Sequence, residues 1–194
     1  CALPILAYAF LKALGQNGDI GTITVDAANS KAEATTGHKV LSFQNGVTEI
    51  ESTRYPFCFI DDEKSGMSSR SILPFVPFNQ DLNRFMLVVT GLKADSAKVT
   101  WGTATKTFTR DQLAKGVNLA AEFAEGNPFT TAFAVVDAAV ALKQGFETTM
   151  IKNTYHSLAS IQSGTGDNAQ TAALKSRLVA AQEALRQSVK AAVV

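Results

Sequence analysis

The spacing of apolar residues changes at Pro128, and that change commits the chain to two kinds of structure in succession. Before it the apolar residues recur two apart in short runs with turn residues between them. After it they recur at helical spacing almost to the end. Phe129, Phe133, Val136, Val140 and Ala141 form one stripe that persists to about Leu158. Ser163-Gly164-Thr165-Gly166-Asp167-Asn168 breaks the pattern, and the Ala-, Leu-, Gln- and Lys-rich residues 172–194 predict a second long helix.

The first part opens with a helical pattern at residues 6–14, apolar at Leu6, Ala7, Phe10, Leu11 and Leu14 and capped by Gly15. Nothing else in the chain looks like its packing partner. From Asp19 the period shortens. Ile20, Thr22 and Thr24 point one way, flanked by Ile23 and Val25, as in a short strand. Residues 39–43 and 47–51 flank Gln44-Asn45-Gly46, and Asn-Gly favours the positive backbone angles of a type I′ hairpin turn. Two more strands are expected at 84–90 and 97–101, joined through residues 91–95. Gly102-Thr103 then turns the chain back into a strand at 105–108. Thr109-Arg110-Asp111-Gln112 has the spacing of a capping box and opens a short helix that Gly116 closes. Leu73-Pro74-Phe75-Val76-Pro77-Phe78 holds two prolines, which predicts an extended apolar loop on the surface. No internal repeat of fixed period occurs.

The 194 residues, 46% of them hydrophobic, suffice for a buried core. Lys and Arg number 18 against 17 Asp and Glu, and no basic run is dense enough to neutralise a row of phosphates. No nucleic acid partner is expected. No membrane partner is expected either, because no stretch approaches the roughly 18 apolar residues of a spanning helix. Cys1 and Cys58 are the only cysteines. They make no disulfide framework, although the two thiols have the option of pairing.

Chemistry-bearing residues are sparse. His38 and His156 are the only histidines, and neither has a His, Cys or carboxylate at zinc-ligand spacing. A serine hydrolase needs a nucleophile on a constrained turn, a base and oxyanion donors. The sequence has no GxSxG, GDS or GxND segment, only the fragments Gly18-Asp19-Ile20 and Gly166-Asp167-Asn168. Gly164-x-Gly166 does not extend to a dinucleotide fingerprint. Asp61, Asp62 and Glu63 beside Lys64 read either as a calcium site or as a solvated turn, and they lack the alternating ligands of an EF-hand. Trp101 with Phe108 reads either as a sugar-binding face or as core. No catalytic, cofactor-binding or metal-ligating residue is assigned, and no cofactor is expected.

Several ordered runs resemble the C-terminal part of bacterial SGNH hydrolases, the GDSL-type esterases. They are Ala7-Tyr8-Ala9-Phe10-Leu11-Lys12-Ala13-Leu14-Gly15, Asp19-Ile20-Gly21-Thr22-Ile23, Glu51-Ser52-Thr53-Arg54-Tyr55-Pro56-Phe57-Cys58-Phe59, Pro74-Phe75-Val76-Pro77-Phe78-Asn79-Gln80-Asp81-Leu82-Asn83-Arg84-Phe85, Val99-Thr100-Trp101-Gly102 and Gln112-Leu113-Ala114-Lys115-Gly116-Val117-Asn118-Leu119-Ala120. The resemblance covers residues 6–158. It implies an α/β, flavodoxin-like hydrolase domain upstream whose final helix is residues 6–15, with the catalytic Asp and His just before it. None of that family's Ser, Gly, Asn, Asp or His catalytic positions maps onto this chain. Arg54, Asn79, Asp81, Asn83 and Arg84 match polar positions of the extension, with either a structural role or a role in shaping the cleft.

The resulting expectation is an α+β fragment. Residues 1–5, Cys1-Ala2-Leu3-Pro4-Ile5, resemble the translated sequencing adapter TGT GCT CTT CCG ATC and are expected not to be protein sequence. Residues 6–15 are the last hydrolase helix, 19–127 an antiparallel β-rich accessory domain and 128–194 a helical segment. Cys in place of an initiating Met, and the missing stop signal in the last helix, lead to the expectation of truncation at both ends. The intact parent would hydrolyse acyl or carbohydrate esters after export to the periplasm or beyond, and this chain would be inert alone. The alternatives are a β-rich module binding carbohydrate or a partner subunit, and a homo-oligomer formed through the C-terminal helices.

Overall fold

A computed structural model describes residues 2–59, 61–62, 67–166 and 168–193, and the chain divides into two compact units, Cys1–Thr130 and Thr131–Val194. The architecture is α+β, with several antiparallel pairings and long C-terminal helices. In chain order the first unit runs through helix α1 (Ala2–Ala13) and strands β1 (Asp19–Asp26), β2 (Lys31–Ala34), β3 (His38–Gln44) and β4 (Val47–Ser52). The short strands β5 (Asp61–Asp62) and β6 (Met67–Ser68) precede a 3-10 turn at Ser69–Ile72 and helix α2 (Phe78–Asp81). Strands β7 (Arg84–Thr90), β8 (Ser96–Trp101) and β9 (Ala104–Thr109) follow, then α3 (Arg110–Lys115), β10 (Val117–Asn118) and α4 (Leu119–Glu122).

Four strands form a sheet in the order β10-β7-β1-β2. Its central pair is parallel, Thr22 opposite Met86 through Asp26 opposite Thr90, an exception to the antiparallel pairing expected of this domain and found in the other pairs. Parallel neighbours need a long crossover, and residues 27–83 supply it. The uninterrupted run Phe85-Met86-Leu87-Val88-Val89 is the composition of such an interior strand. Strands β7 and β8 follow one another but do not pair, since β8 forms a separate hairpin with β9. Strand β2 escaped the sequence reading. Its Lys31-Ala32-Glu33-Ala34 has neither β-branched nor aromatic residues, and it is held by pairing with β1 across a turn in which the Asp26 carboxylate accepts from the Asn29 side chain.

Three layers of apolar side chains meet. The sheet contributes Ile23, Val25 and Phe85, the hairpins contribute Phe43, Ile50, Val99 and Trp101, and α3 and α4 contribute Leu113, Leu119 and Ala120. The β3–β4 turn is the expected type I′, with φ 51° at Asn45 and 77° at Gly46. Gly21 is required where β1 passes His38, because a Cβ there would lie 2.2 Å from His38 Nε2. The expected capping box is complete, with Gln112 N–H donating to Thr109 Oγ1 and Thr109 N–H to Gln112 Oε1.

A second apolar cluster joins Phe59, Ile72, Phe78 and Leu82. Ile5, Tyr8 and Leu11 of α1 pack on it, so this helix does have a partner in the chain, contrary to expectation. The partner was hidden because it comes from the proline-rich segment. That segment is not an extended loop but a series of turns, with Phe75 and Val76 N–H both donating to the Ile72 carbonyl. Phe78 is drawn under α1 while Phe75 stays 68% exposed. The opposite face of α1 carries Leu6 and Phe10, and Leu14 just past its end continues the line; the three are spaced four apart and exposed by 51%, 59% and 74%.

From the boundary onward, α5 (Thr130–Thr149) passes through a π-helical turn at Met150–Thr154 into α6 (Tyr155–Thr165). Gly166, at φ 68°, ends it and α7 (Asn168–Ala192) returns alongside. The less exposed residues of α7, Thr171, Lys175, Leu178, Gln182, Leu185, Val189 and Ala192, alternate four and three apart. That is the seam of an antiparallel coiled coil. A polar trio sits within it, since Glu147 accepts from Lys143 at 2.8 Å and from Gln182 at 2.6 Å. No helix among the described residues is long and apolar enough to cross a membrane.

Candidate functional site

The two histidines have different surroundings. His156 lies exposed on α6. His38, at the start of β3, is buried against the Phe85 ring at 5.0 Å between centroids. Its Nε2 is 2.9 Å from the Ile20 carbonyl, which places the ring proton there and leaves Nδ1 to accept from the Ser52 hydroxyl at 2.9 Å. A Ser–His contact is one part of an activated nucleophile. Here a backbone carbonyl takes the place of the orienting carboxylate, and neither residue lines the cleft described below. The pair stitches the β3–β4 hairpin to β1.

The polar residues singled out in the sequence are absorbed into the frame. Asn83 is fully buried. Its Oδ1 accepts from Phe57 N–H at 2.7 Å, and its Nδ2 donates to the Phe57 carbonyl and to Asn79 Oδ1, both at 3.1 Å. Asn118 Nδ2 donates to the carbonyls of Asn79 and Asn83, tying β10 to the same knot. Arg84 closes the end of α2 by donating to the carbonyls of Gln80, Asp81 and Asn17. Asp81 accepts from the Tyr8 hydroxyl at 2.6 Å and pairs with Lys12 at 2.9 Å. These two partners, Tyr8 foremost, hold its carboxyl below the usual aspartate range. The Arg54 stem lies over Gly37, where a Cβ would come 2.7 Å from its Cδ.

Cys58 is a free, buried thiol pushed up by burial, the behaviour of a small apolar residue rather than a nucleophile. Its pairing with Cys1 lies outside the described residues, as do Glu63 and Lys64 of the acidic run. Asp61 and Asp62 form β5. Among the described residues no three His, Cys, Asp or Glu side chains gather around a metal-sized site. Trp101 packs on Phe85, Phe123 and Phe129 at 5.7 to 6.1 Å, tilted or edge-on, and does not stand as an open platform.

Trp101 also borders the feature that sequence reasoning missed. Between the sheet and the two hairpins lies a cleft of about 360 Å³. Its walls come from Ile23, Val25, Leu87 and Val89 of the sheet and from Phe43, Thr48 and Ile50 of the β3–β4 hairpin. Residues 97–101 of β8, with Leu92, Leu113 and Leu119, complete it. Most of these residues sit in strands that the sequence pattern locates, although residues 97–101 are consecutive and line the cleft along the strand edge as well as its inner side. Their convergence around open space depends on how the hairpins fold over the sheet, which no local pattern encodes.

No protein-family model matches the chain, and no curated protein matches it. A solved structure of a gut microbial diltiazem-metabolizing enzyme is similar in fold, with a TM-score of 0.64 and 18% sequence identity. The likeness takes in 98% of this chain but only 49% of that one, so the chain spans about half the length of the enzyme whose fold it shares.

Proposed function

We propose that the chain is the C-terminal accessory part of an SGNH-type serine ester hydrolase and that catalysis belongs to a flavodoxin-like domain preceding α1. The observation that carries this reading is the ordered resemblance of residues 6–158 to the C-terminal part of that family, and the fold likeness of this chain to about half of a longer enzyme is compatible with it. Two features agree with it. The polar residues of the resembling runs bond to backbone and to one another rather than converging on a cleft. The Leu6, Phe10 and Leu14 face of α1 offers an apolar stripe to a neighbouring domain, as the last helix of such a domain would.

The test has two arms. The reading frame upstream should encode a GDS segment, a GxND segment and a DxxH pair ending just before Ala7, and their absence overturns the parentage. Residues 6–194, purified alone, should leave a p-nitrophenyl ester intact, whereas the joined protein should cleave it, with diltiazem as a second trial substrate. Hydrolysis by the isolated chain that a serine-directed reagent abolishes overturns the accessory role.

A further inference from the structure

We infer that the cleft between the sheet and the two hairpins binds a medium-chain fatty acid, its hydrocarbon chain inside and its carboxylate at the β8 edge beside Lys98. Size comes first. A dry cavity of about 150 Å³ accepts benzene, about 25 Å³ for each non-hydrogen atom. By that measure the 360 Å³ cleft holds about 14 such atoms, a carboxylate with a chain of ten to twelve carbons. The walls suit an aliphatic chain, since Ile23, Val25, Leu87, Val89, Ile50 and Val99 surround it and no Asp or Glu lines it.

The β8 edge supplies the polar end. Five consecutive residues of β8, 97–101, line the cleft, so the edge of the strand faces it as well as the inner side chains. Trp101 and Ala104 flank the two-residue turn Gly102-Thr103, with Gly102 at φ 61°. A pair beside such a turn exchanges both backbone hydrogen bonds, and the pairs then alternate. Trp101, Val99 and Ala97 therefore bond to β9, while the backbone N–H groups of Thr100 and Lys98 point away from it. No other strand pairs with β8 among the described residues. The Lys98 side chain is exposed, on the outward side of β8 that alternates with Ala97, Val99 and Trp101, within reach of the strand edge that lines the cleft, and it has no ion-pair partner among the described residues. A carboxylate at this edge accepts from a backbone N–H and meets a cation, and a purely apolar guest leaves both unused.

Trp101, the sole tryptophan, lines the cleft and reports on it. Titration of the 194-residue chain with decanoate should change Trp101 emission saturably at one equivalent. Lys98→Met, at an exposed position that leaves the core untouched, should weaken decanoate about tenfold, the range of a charge-assisted hydrogen bond. Decan-1-ol should bind the wild type about tenfold more weakly than decanoate does, and Lys98→Met should not change that. Ala97→Leu, which fills the cleft from the β8 side, should abolish the response while far-ultraviolet circular dichroism stays native. Emission indifferent to decanoate overturns the inference, as does equal affinity for acid and alcohol or unchanged binding by Lys98→Met. Binding is read without turnover, so failure here leaves the hydrolase reading standing, and failure of that reading leaves this one.

Discussion

Replacing Asn83 with Ala should be among the most damaging single changes in the first unit. The side chain is 0% exposed and makes three hydrogen bonds, two of them to the backbone of Phe57. At about 1 kcal/mol net for each bond the direct loss is about 3 kcal/mol. The substitution also takes the Asn83 partner away from the Phe57 N–H and carbonyl, which lie between Pro56 and Cys58, both buried, where a lost bond costs more than at the surface. A total of about 3–5 kcal/mol follows, a large share of the roughly 5–15 kcal/mol that a domain possesses. Urea unfolding followed by Trp101 emission reports the first unit selectively. With a slope of about 2 kcal/mol per molar urea, the midpoint should fall by about 1.5–2.5 M. Asn83→Asp is the sharper control, because it keeps the acceptor for Phe57 N–H but loses both donated bonds and buries a charge. It should be no better than Ala. A loss below about 1 kcal/mol for Asn83→Ala would refute the reasoning, since solvent would then be replacing the side chain at no cost.

Thr109→Ala removes the side-chain half of the α3 capping box, leaving the residue 109 N–H to donate to Gln112 Oε1, and should cost about 1 kcal/mol, read from the same urea transition; no change would mean that the Thr109 hydroxyl does not hold the start of α3. Acidification should loosen α1. Asp81 is depressed in the folded chain, so its contribution is present above the ordinary aspartate pKa of about 4 and is lost as pH falls through the lower folded value. Hydrogen exchange of α1 amides should separate wild type from Asp81→Asn near neutrality and converge below about pH 4, whereas a pH-independent difference would remove Asp81 as the cause.

Sequence legibility tracked the distance over which each signal acts. The Asn45-Gly46 hairpin and the Thr109/Gln112 box lie within four residues, where backbone preference and one or two hydrogen bonds decide the structure. The long helices were legible because their period repeats across many turns, and Gly166 ends α6 within the break expected from 163–168. What failed was pairing at a distance. Strand β2 has no strand-like composition and forms because β1 offers it a ladder. The parallel β1–β7 pair depends on a crossover spanning residues 27–83, and nothing in either strand names the other.

The same distance rule explains why the polar residues stayed open to two roles in the sequence. Asn79, Asn83, Arg84 and Asp81 cluster in sequence as the residues of a site do, and a composition reading leaves them open to either role. In the fold, Asn83 reaches back to Phe57, Arg84 to Asn17 and Asp81 to Tyr8 and Lys12, each partner from a different part of the chain. A short polar segment that fastens three distant stretches is a clasp, and its bonds are spent on backbone and on one another. The cleft has the reverse character. Its residues look like ordinary core in sequence, yet they enclose about 360 Å³ beside a strand edge with backbone donors turned away from its only partner strand among the described residues. In this chain the conspicuous polar groups build the frame, and the capacity to bind lies where the apolar pattern is most commonplace.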